Sequence, residues 1–419
     1  MLSAFPNRRL STDINHRGCV FAVAAFTLVF SVCRTGNCAT DSNTAFARNA
    51  LQKYVDSGEL PGAISVFYKD GVQETACLGY ADVAKRRPIA LDSVFMQCSQ
   101  TKGFCGVAVA KLVEEGRLRL DDAVFKYLPE FKELWVETSS SNGVRTLKKA
   151  KNVLTVRMCL NHTGGFQFEL PNFQAMGGWS HRMPLRSVAA TAAAQPIKFE
   201  PGTRASYSNV GIDIGAAVVE KVTGLRWEDY LRENVLTPLG MDDTGFWPTD
   251  RQLATKIELY KAGAGRIAEW QLQTPSQQRP YNDDRVFPSA GAGLWTTAAD
   301  QLKFYKMLMN LGLGENGARI LKEETVKSIL AVSTRQKGLG GYSLGLEAPE
   351  RDGEDQWFGH AGARGTSCRV NWHRKELKLW VVQLCENVRY PWDKGRTDAA
   401  NRFFLNVSGN SSAGGHTGK

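Results

Sequence analysis

Ser99 and Lys102 stand three residues apart at the head of the apolar run Gly103–Val113. On an α-helix that spacing stacks both side chains on one face. A seryl hydroxyl attacks poorly until a base removes its proton, and a lysine that has lost its charge can be that base. Ser99-Gln100-Thr101-Lys102 therefore supplies a nucleophile and its activator together. Serine is also a favoured helix N-cap, which gives Ser99 a purely architectural reading. A capping box, however, asks for Glu or Gln at the third position after the cap. Lys102 stands there instead, facing the positive end of the helix dipole, which is mildly unfavourable as structure and lowers a lysine pKa as chemistry.

A second constellation is Tyr207-Ser208-Asn209, introduced by Glu200-Pro201-Gly202-Thr203 and followed by the helical pattern Ile212–Val222. Pro-Gly and Ser-Asn are turn chemistry, so the segment also reads as an ordinary helix start. A phenol near a lysine can share its proton and relay it to a leaving group, and Asn209 could then grip a substrate amide. Further on, His360-Ala361-Gly362 lies in a glycine-rich, strand-like stretch. If that stretch is extended, His360, Gly362 and Arg364 point to one face, because side chains alternate along a strand.

These residues, in this order, resemble the serine β-lactamases and penicillin-binding proteins, especially their class C-like branch of D-peptidases, D-aminopeptidases and esterases. Ser-x-x-Lys is one of that family's signatures. Lys69-Asp70-Gly71, His162-Thr163-Gly164, Lys261-Ala262-Gly263 and His416-Thr417-Gly418 fit the family's third element as well as His360-Ala361-Gly362 does, and position selects His360. Leu160-Asn161-His162-Thr163-Gly164-Gly165, Pro238-Leu239-Gly240-Met241 and Ala290-Gly291-Ala292-Gly293-Leu294 also look like the family, so the resemblance spans roughly Ala45 to Phe404. It implies that Ser99 attacks an acyl carbon, that Lys102 and Tyr207 handle the protons, and that Asn209 and His360 line the pocket. Backbone amides of Ser99 and Ala363 would form the oxyanion hole. His360 stands where classical β-lactamases place a lysine, so a permanent cation becomes a group that is largely neutral at pH 7, for which Arg364 could compensate. The resemblance thus favours a peptidase or esterase, with a small-molecule or peptide acyl substrate and no cofactor, over antibiotic resistance.

Two rival functions are written in the same chain. Gly341-Tyr342-Ser343-Leu344-Gly345 fits the nucleophile elbow of α/β-hydrolase esterases, which needs a strand before the serine and a helix after it. Leu346-Glu347-Ala348-Pro349 is too soon broken by proline to make that helix, and Ser343 is expected in mid-strand. Alternatively, the protein binds β-lactams or wall peptides and stays acylated as a sensor. His162, in a Thr-Gly-Gly loop, is expected to fix that loop by hydrogen bonds, and Cys98 to be a small buried residue.

The elements that must hold these residues follow from patterning. Asn43–Ser57 reads as an amphipathic helix, and Gly62–Tyr68 with Val72–Tyr80 as strands around the turn Lys69-Asp70-Gly71. The helix carrying Ser99 runs to Gly116, and Ala298–Leu311 is another amphipathic helix. Leu118 to about Phe287 reads as short helices and loops, with a polar, structureless interval at Thr138–Asn152. Gly341–Ala348, Gln356–Gly359, Gly365–Trp372 and Lys378–Cys385 read as strands, with His373-Arg374-Lys375-Glu376 a tight turn, and Thr397–Val407 as a last helix. Strands at both ends and helices between imply an α+β fold of β-lactamase-like type: an antiparallel sheet flanked by helices, with an inserted helical lobe. The expected limits are 40–115 with 288–408 for the α/β lobe, 116–287 for the helical lobe and 409–419 for a disordered tail.

Cys19–Val32, preceded by Arg8, Arg9 and Arg17, reads as the apolar core of a secretory signal peptide removed near Ala39, with export to the periplasm or outside the cell and no stable membrane span afterwards. The formal charge of +10 falls by three without that leader, and the remainder is scattered with no nucleic-acid motif. Cys77, Cys98, Cys105, Cys159, Cys368 and Cys385 show no disulfide framework or CxxC spacing, and no HExxH occurs, so a metal enzyme is not expected.

Overall fold

The computed structural model describes residues 48–381 apart from 49–50, 53, 59, 172–182, 262–270, 273–286, 332–333, 337–339, 349–355 and 364. The expected leader, the last helix at Thr397–Val407 and the tail lie outside the described residues, as does Arg364.

The first hairpin forms where the sequence places it. Strands β1 (Gly62–Lys69) and β2 (Val72–Asp82) pair from Gly62↔Gly79 to Lys69↔Val72. Asp70 (φ 48°) and Gly71 (φ 85°) turn the chain between them. Positive φ at both turn positions matches the right-handed twist of the flanking strands, which is why Asp-Gly is such a strong hairpin signal. With β3 (Arg87–Pro88), β4 (Thr334–Gln336), β5 (Gly340–Tyr342), β6 (Glu347–Ala348), β7 (Phe358–Gly362), β8 (Thr366–Asn371) and β9 (Glu376–Val381), these strands form a nine-stranded antiparallel sheet among the described residues, in the order β4-β5-β6-β7-β8-β9-β1-β2-β3. β1 from the start of the chain is zipped to β9 from its end, from Ile64↔Val381 to Lys69↔Glu376.

Three helices carry the site. Helix α1 (Thr101–Glu114) follows a single 3₁₀ turn, Cys98–Gln100, so Ser99 sits in the turn rather than in the helix. Gly116, with φ 69°, follows its C-terminal end. Helix α2 (Asn209–Thr223) begins three residues before the expected Ile212, because the Ser208 side chain caps it by accepting from the Gly211 amide at 3.0 Å. It ends where expected, at left-handed Gly224. Helix α3 (Ala298–Met309) packs against α1 through Phe304 and Phe104, whose rings stack at 3.7 Å between centroids.

Two expectations fail. Thr138–Asn152 is not structureless: Trp135–Ser141 and Val144–Lys149 pair as a hairpin around Asn142 (φ 51°) and Gly143 (φ 78°). Asn-Gly is itself a strong hairpin signal, but Val144–Lys149 is exposed throughout and so lacks the apolar alternation that marks a half-buried strand. Ser343 is not in mid-strand either: Gly341–Ala348 is broken into β5 and β6 by a bend through Ser343-Leu344-Gly345. That bend lies against α1 so closely that a β-carbon on Gly106 would come within 1.9 Å of the Leu344 carbonyl oxygen. Gly345, at φ 75°, lets the chain bend there, and the close packing against α1 holds it.

Candidate active site

Cys98, with φ 50°, holds a left-handed conformation uncommon for a non-glycine residue, and the chain turns there to present Ser99. The turn is fastened from several sides. The Thr101 hydroxyl donates to the Cys98 carbonyl at 2.7 Å and accepts from the Leu294 amide at 3.2 Å. The buried Gln301 amide on α3 donates to the side-chain oxygens of Gln97 (3.1 Å) and Gln100 (3.0 Å). Gly362, the last residue of β7, abuts the same turn, and a β-carbon there would lie 2.4 Å from the Gln97 carbonyl oxygen. Only glycine lets strand and turn approach this closely. Ser99 remains half-buried and accessible.

Lys102, one helical turn on, is fully buried. Its Nζ lies 3.2 Å from Ser99 Oγ, 2.5 Å from Asn209 Oδ1 and 2.6 Å from the Gly291 carbonyl oxygen. Burial lowers its pKa to about 7, and the carboxylates of Glu169, Asp213 and Glu347 hold it from falling further. The amine is therefore substantially uncharged near neutrality and within reach of the seryl proton.

Tyr207 reaches the same place from the loop before α2. Its hydroxyl lies 3.4 Å from His360 Nε2, and the neighbouring Ser99 pulls its pKa down against burial. Burial pushes the phenol above its ordinary range, so it stays protonated. Lys102 Nζ sits 4.6 Å from the centre of the Tyr207 ring, over its face. His162 fixes this loop: its Nδ1 accepts from the Ser208 amide at 3.3 Å, its carbonyl accepts from the Ser206 amide at 2.9 Å, and its ring lies 4.5 Å from that of Tyr207.

Asn209, the first residue of α2, is buried with both polar groups engaged, Oδ1 by Lys102 and Nδ2 by donation to Glu169 Oε1 at 2.6 Å. His360 is buried on β7, and its Nδ1 donates to the Ala361 carbonyl at 2.6 Å. That tautomer leaves Nε2 as the acceptor for the Tyr342 hydroxyl at 2.7 Å. Burial lowers the His360 pKa to about 4, against the opposing pull of Glu347 at 3.6 Å. Glu347 is itself paired with Arg369. Ala363 follows Gly362 in an exposed turn.

The structure thus brings Ser99, Lys102, Tyr207, Asn209 and His360 together, with Gly362 against the nucleophile turn. The sequence reading missed Asp213, Glu169, Glu347 and Tyr342. Asp213 alone carried a signal, four residues after Asn209 on the same helix face. Ser343, by contrast, is buried with no hydrogen-bond partner for its hydroxyl among the described residues. Without a base or a following helix it is no nucleophile elbow. Among the described residues no cluster of His, Cys, Asp and Glu could hold a metal ion, no cysteine is disulfide-bonded, and no helix is long and apolar enough to cross a membrane.

A nucleophile turn leading into a buried-lysine helix, set against one antiparallel sheet built from both ends of the chain, is a β-lactamase-like fold. Residues 47–402 match the Beta-lactamase family. This chain belongs to that family. It is 27% identical over 365 residues to the Mycobacterium tuberculosis protein Rv1367c, covering 81% of this chain and 90% of that protein. The structure of EstCE1, a hydrolase with promiscuous acyltransferase activity, superposes with a TM-score of 0.68 at 22% identity, covering 85% of this chain and 98% of EstCE1. A D-stereospecific amidohydrolase from Streptomyces sp. superposes with a TM-score of 0.63 at 22% identity, covering 87% and 99%. Family members with this fold are serine hydrolases or acyltransferases.

Proposed function

We propose that this chain is a serine hydrolase that forms an acyl-enzyme on Ser99 and cleaves an ester or amide, with Lys102 as the base. The observation that carries this reading is the 3.2 Å contact between Ser99 Oγ and a buried lysine amine whose pKa has fallen to about 7. In the forward step Ser99 Oγ bonds to the acyl carbon as its proton passes to Lys102 Nζ. The ammonium so formed is held by Asn209 Oδ1 and the Gly291 carbonyl. Tyr207, kept protonated by burial and adjoining Ser99, delivers a proton to the leaving group. As the acyl–leaving-group bond breaks, the Lys102 ammonium returns a proton to Tyr207 and becomes neutral again; water then attacks the ester of Ser99, its proton passing to Lys102 Nζ and on to Ser99 Oγ as the acid is released. The amides of Ser99 and Ala363 receive the oxyanion, a role supported by the close approach of Gly362 to the turn carrying Ser99.

The substrate class follows from charge. His360 is neutral at pH 7 and backed by Glu347, so it gives no fixed positive charge to a substrate carboxylate. This supports neutral acyl groups, including esters and D-amino-acid-containing peptides, over β-lactams. The structural likeness to a D-stereospecific amidohydrolase fits this reading. The apolar run behind three arginines at the N-terminus supports export.

Mass spectrometry after mixing with a nitrophenyl ester tests the assignment. An acyl adduct on the Ser99 peptide, absent in Ser99→Ala and present in Ser343→Ala, is expected. An adduct that needs Ser343 overturns the reading. A labelled penicillin that stays bound for hours while esters are not turned over supports the sensor instead.

A further inference from the structure

We propose that Asp213 is a positioning residue for the catalytic lysine, acting at one remove by pinning the Ser289–Gly291 segment so that the Gly291 carbonyl stays on Lys102 Nζ. The proposal rests on Lys102 being the base, as argued above. Asp213 lies one turn beyond Asn209 on α2 and is 2% exposed. Its Oδ1 accepts from the Gly291 amide at 3.1 Å and from the Ser289 hydroxyl at 3.2 Å, and Ser289 Oγ also accepts from the Gly291 amide at 3.2 Å. The first and third residues of the Ser289–Gly291 segment are thus tied to one side chain, and the carbonyl of the third is the 2.6 Å acceptor of Lys102.

The other face of the segment leaves little slack. A β-carbon on Gly291 would lie 2.8 Å from Asn209 Cβ, so the segment is clamped between two residues of α2 spaced four apart. One helix face therefore holds Lys102 twice, directly through Asn209 and indirectly through Asp213 and Gly291. Buried carboxylates are retained where they are fully hydrogen-bonded, and removing such a group leaves the amides it served unpaired.

Asp213 also supplies charge. The titratable groups facing it are Lys102 and Cys105 from α1, with the thiol of Cys159 beyond Cys105. Burial raises the Asp213 carboxyl to about 7, against the pull of its hydrogen bonds and of Lys102. An ionised Asp213 holds the proton on Lys102, so removing the charge makes the amine easier to deprotonate.

Two variants separate the pin from the charge. Asp213→Asn keeps an acceptor for Gly291 and loses the charge, so the acid limb of the kcat/KM profile is expected roughly 1 pH unit lower, with the plateau kcat reduced about threefold. Asp213→Ala loses the pin as well, so the plateau kcat is expected to fall about 10- to 100-fold. Should the alanine variant not fold, Ser289→Ala removes one strut and keeps the charge, lowering kcat about threefold with the acid limb in place. The Cε resonance of Lys102 in ¹³C-lysine-labelled protein, assigned by its loss in Lys102→Arg, reports the same titration without any substrate. Its midpoint is expected to fall in Asp213→Asn even if the esters chosen prove to be the wrong substrates. An unmoved Lys102 midpoint and acid limb in both Asp213 variants, with only the melting temperature lowered, overturns the proposal. A Lys102 that shifts with Asp213 in a protein whose acylation does not need Ser99 overturns the hydrolase reading alone.

Discussion

Asn209 Oδ1 lies 2.5 Å from Lys102 Nζ across 107 residues of sequence, and the same asparagine donates to Glu169 with its other polar group. The contact makes the lysine, rather than the substrate, the first partner of Asn209 in the resting site. Asn209→Ala is expected to lower kcat more than it raises KM, by about 10- to 100-fold, because the amine loses an acceptor that fixes its aim at Ser99. Steady-state kinetics on an ester with a small acyl group separate the two effects. A pure KM effect would assign Asn209 to substrate binding.

Replacing the lysine without leaving a buried charge tests the base directly. Lys102→Met is expected to lower kcat/KM by about 10²- to 10⁴-fold, the usual worth of a positioned base. Its melting temperature is expected to hold or rise, since burying an amine is costly and a methionine fills the same space. Calorimetry alongside a burst assay tests both halves.

The pH profile follows from the same residue. Lys102 acts only when neutral, so kcat/KM is expected to rise through an apparent pKa of about 7. Stability should change in the same direction: the unfolded lysine holds its proton up to its ordinary value of 10.5, so unfolding takes up a proton between about 7 and 10.5. Between those pH values the Lys102 contribution favours the folded state increasingly as pH rises. Below about 7 its penalty is complete and constant. Melts of the wild type against Lys102→Met should converge as pH increases over that window.

His360 gives an acid counterpart. Its folded pKa of about 4 lies below the ordinary 6.5, so the unfolded state binds the extra proton between these values and the fold weakens as pH falls through them. His360→Gln, a neutral substitute, is expected to flatten the pH dependence of the melting temperature between pH 6.5 and 4. Below about 4 the two profiles should run parallel.

His360→Lys tests the substrate class. A lysine beside Glu347 restores a cation to the position, and the ratio of penicillin acylation to ester acylation is expected to rise about tenfold. A ratio that does not change would remove charge at this position as the reason for preferring neutral acyl groups. Burst amplitudes with a chromogenic cephalosporin and a nitrophenyl ester measure the ratio.

The sequence alone determined whatever is set by neighbours along the chain. Asp70-Gly71 fixes its hairpin through φ, Gly116 and Gly224 stop their helices, and the three-residue step from Ser99 to Lys102 survives because one helical turn carries it. Asn142-Gly143 was equally legible, and was lost only because its exposed strand has no apolar alternation to accompany it. Tertiary structure decided the rest. The bend at Ser343 is held where Gly106 brings α1 onto the Leu344 carbonyl, a contact between segments more than 200 residues apart. The state of Lys102 likewise depends on its burial and on carboxylates from three distant stretches, and Asp213 matters only because folding carries Gly291 onto it. Dihedral preferences and side-chain periodicity are local and can be read one residue at a time. Desolvation and hydrogen bonds between remote groups have no value until the chain has closed around them.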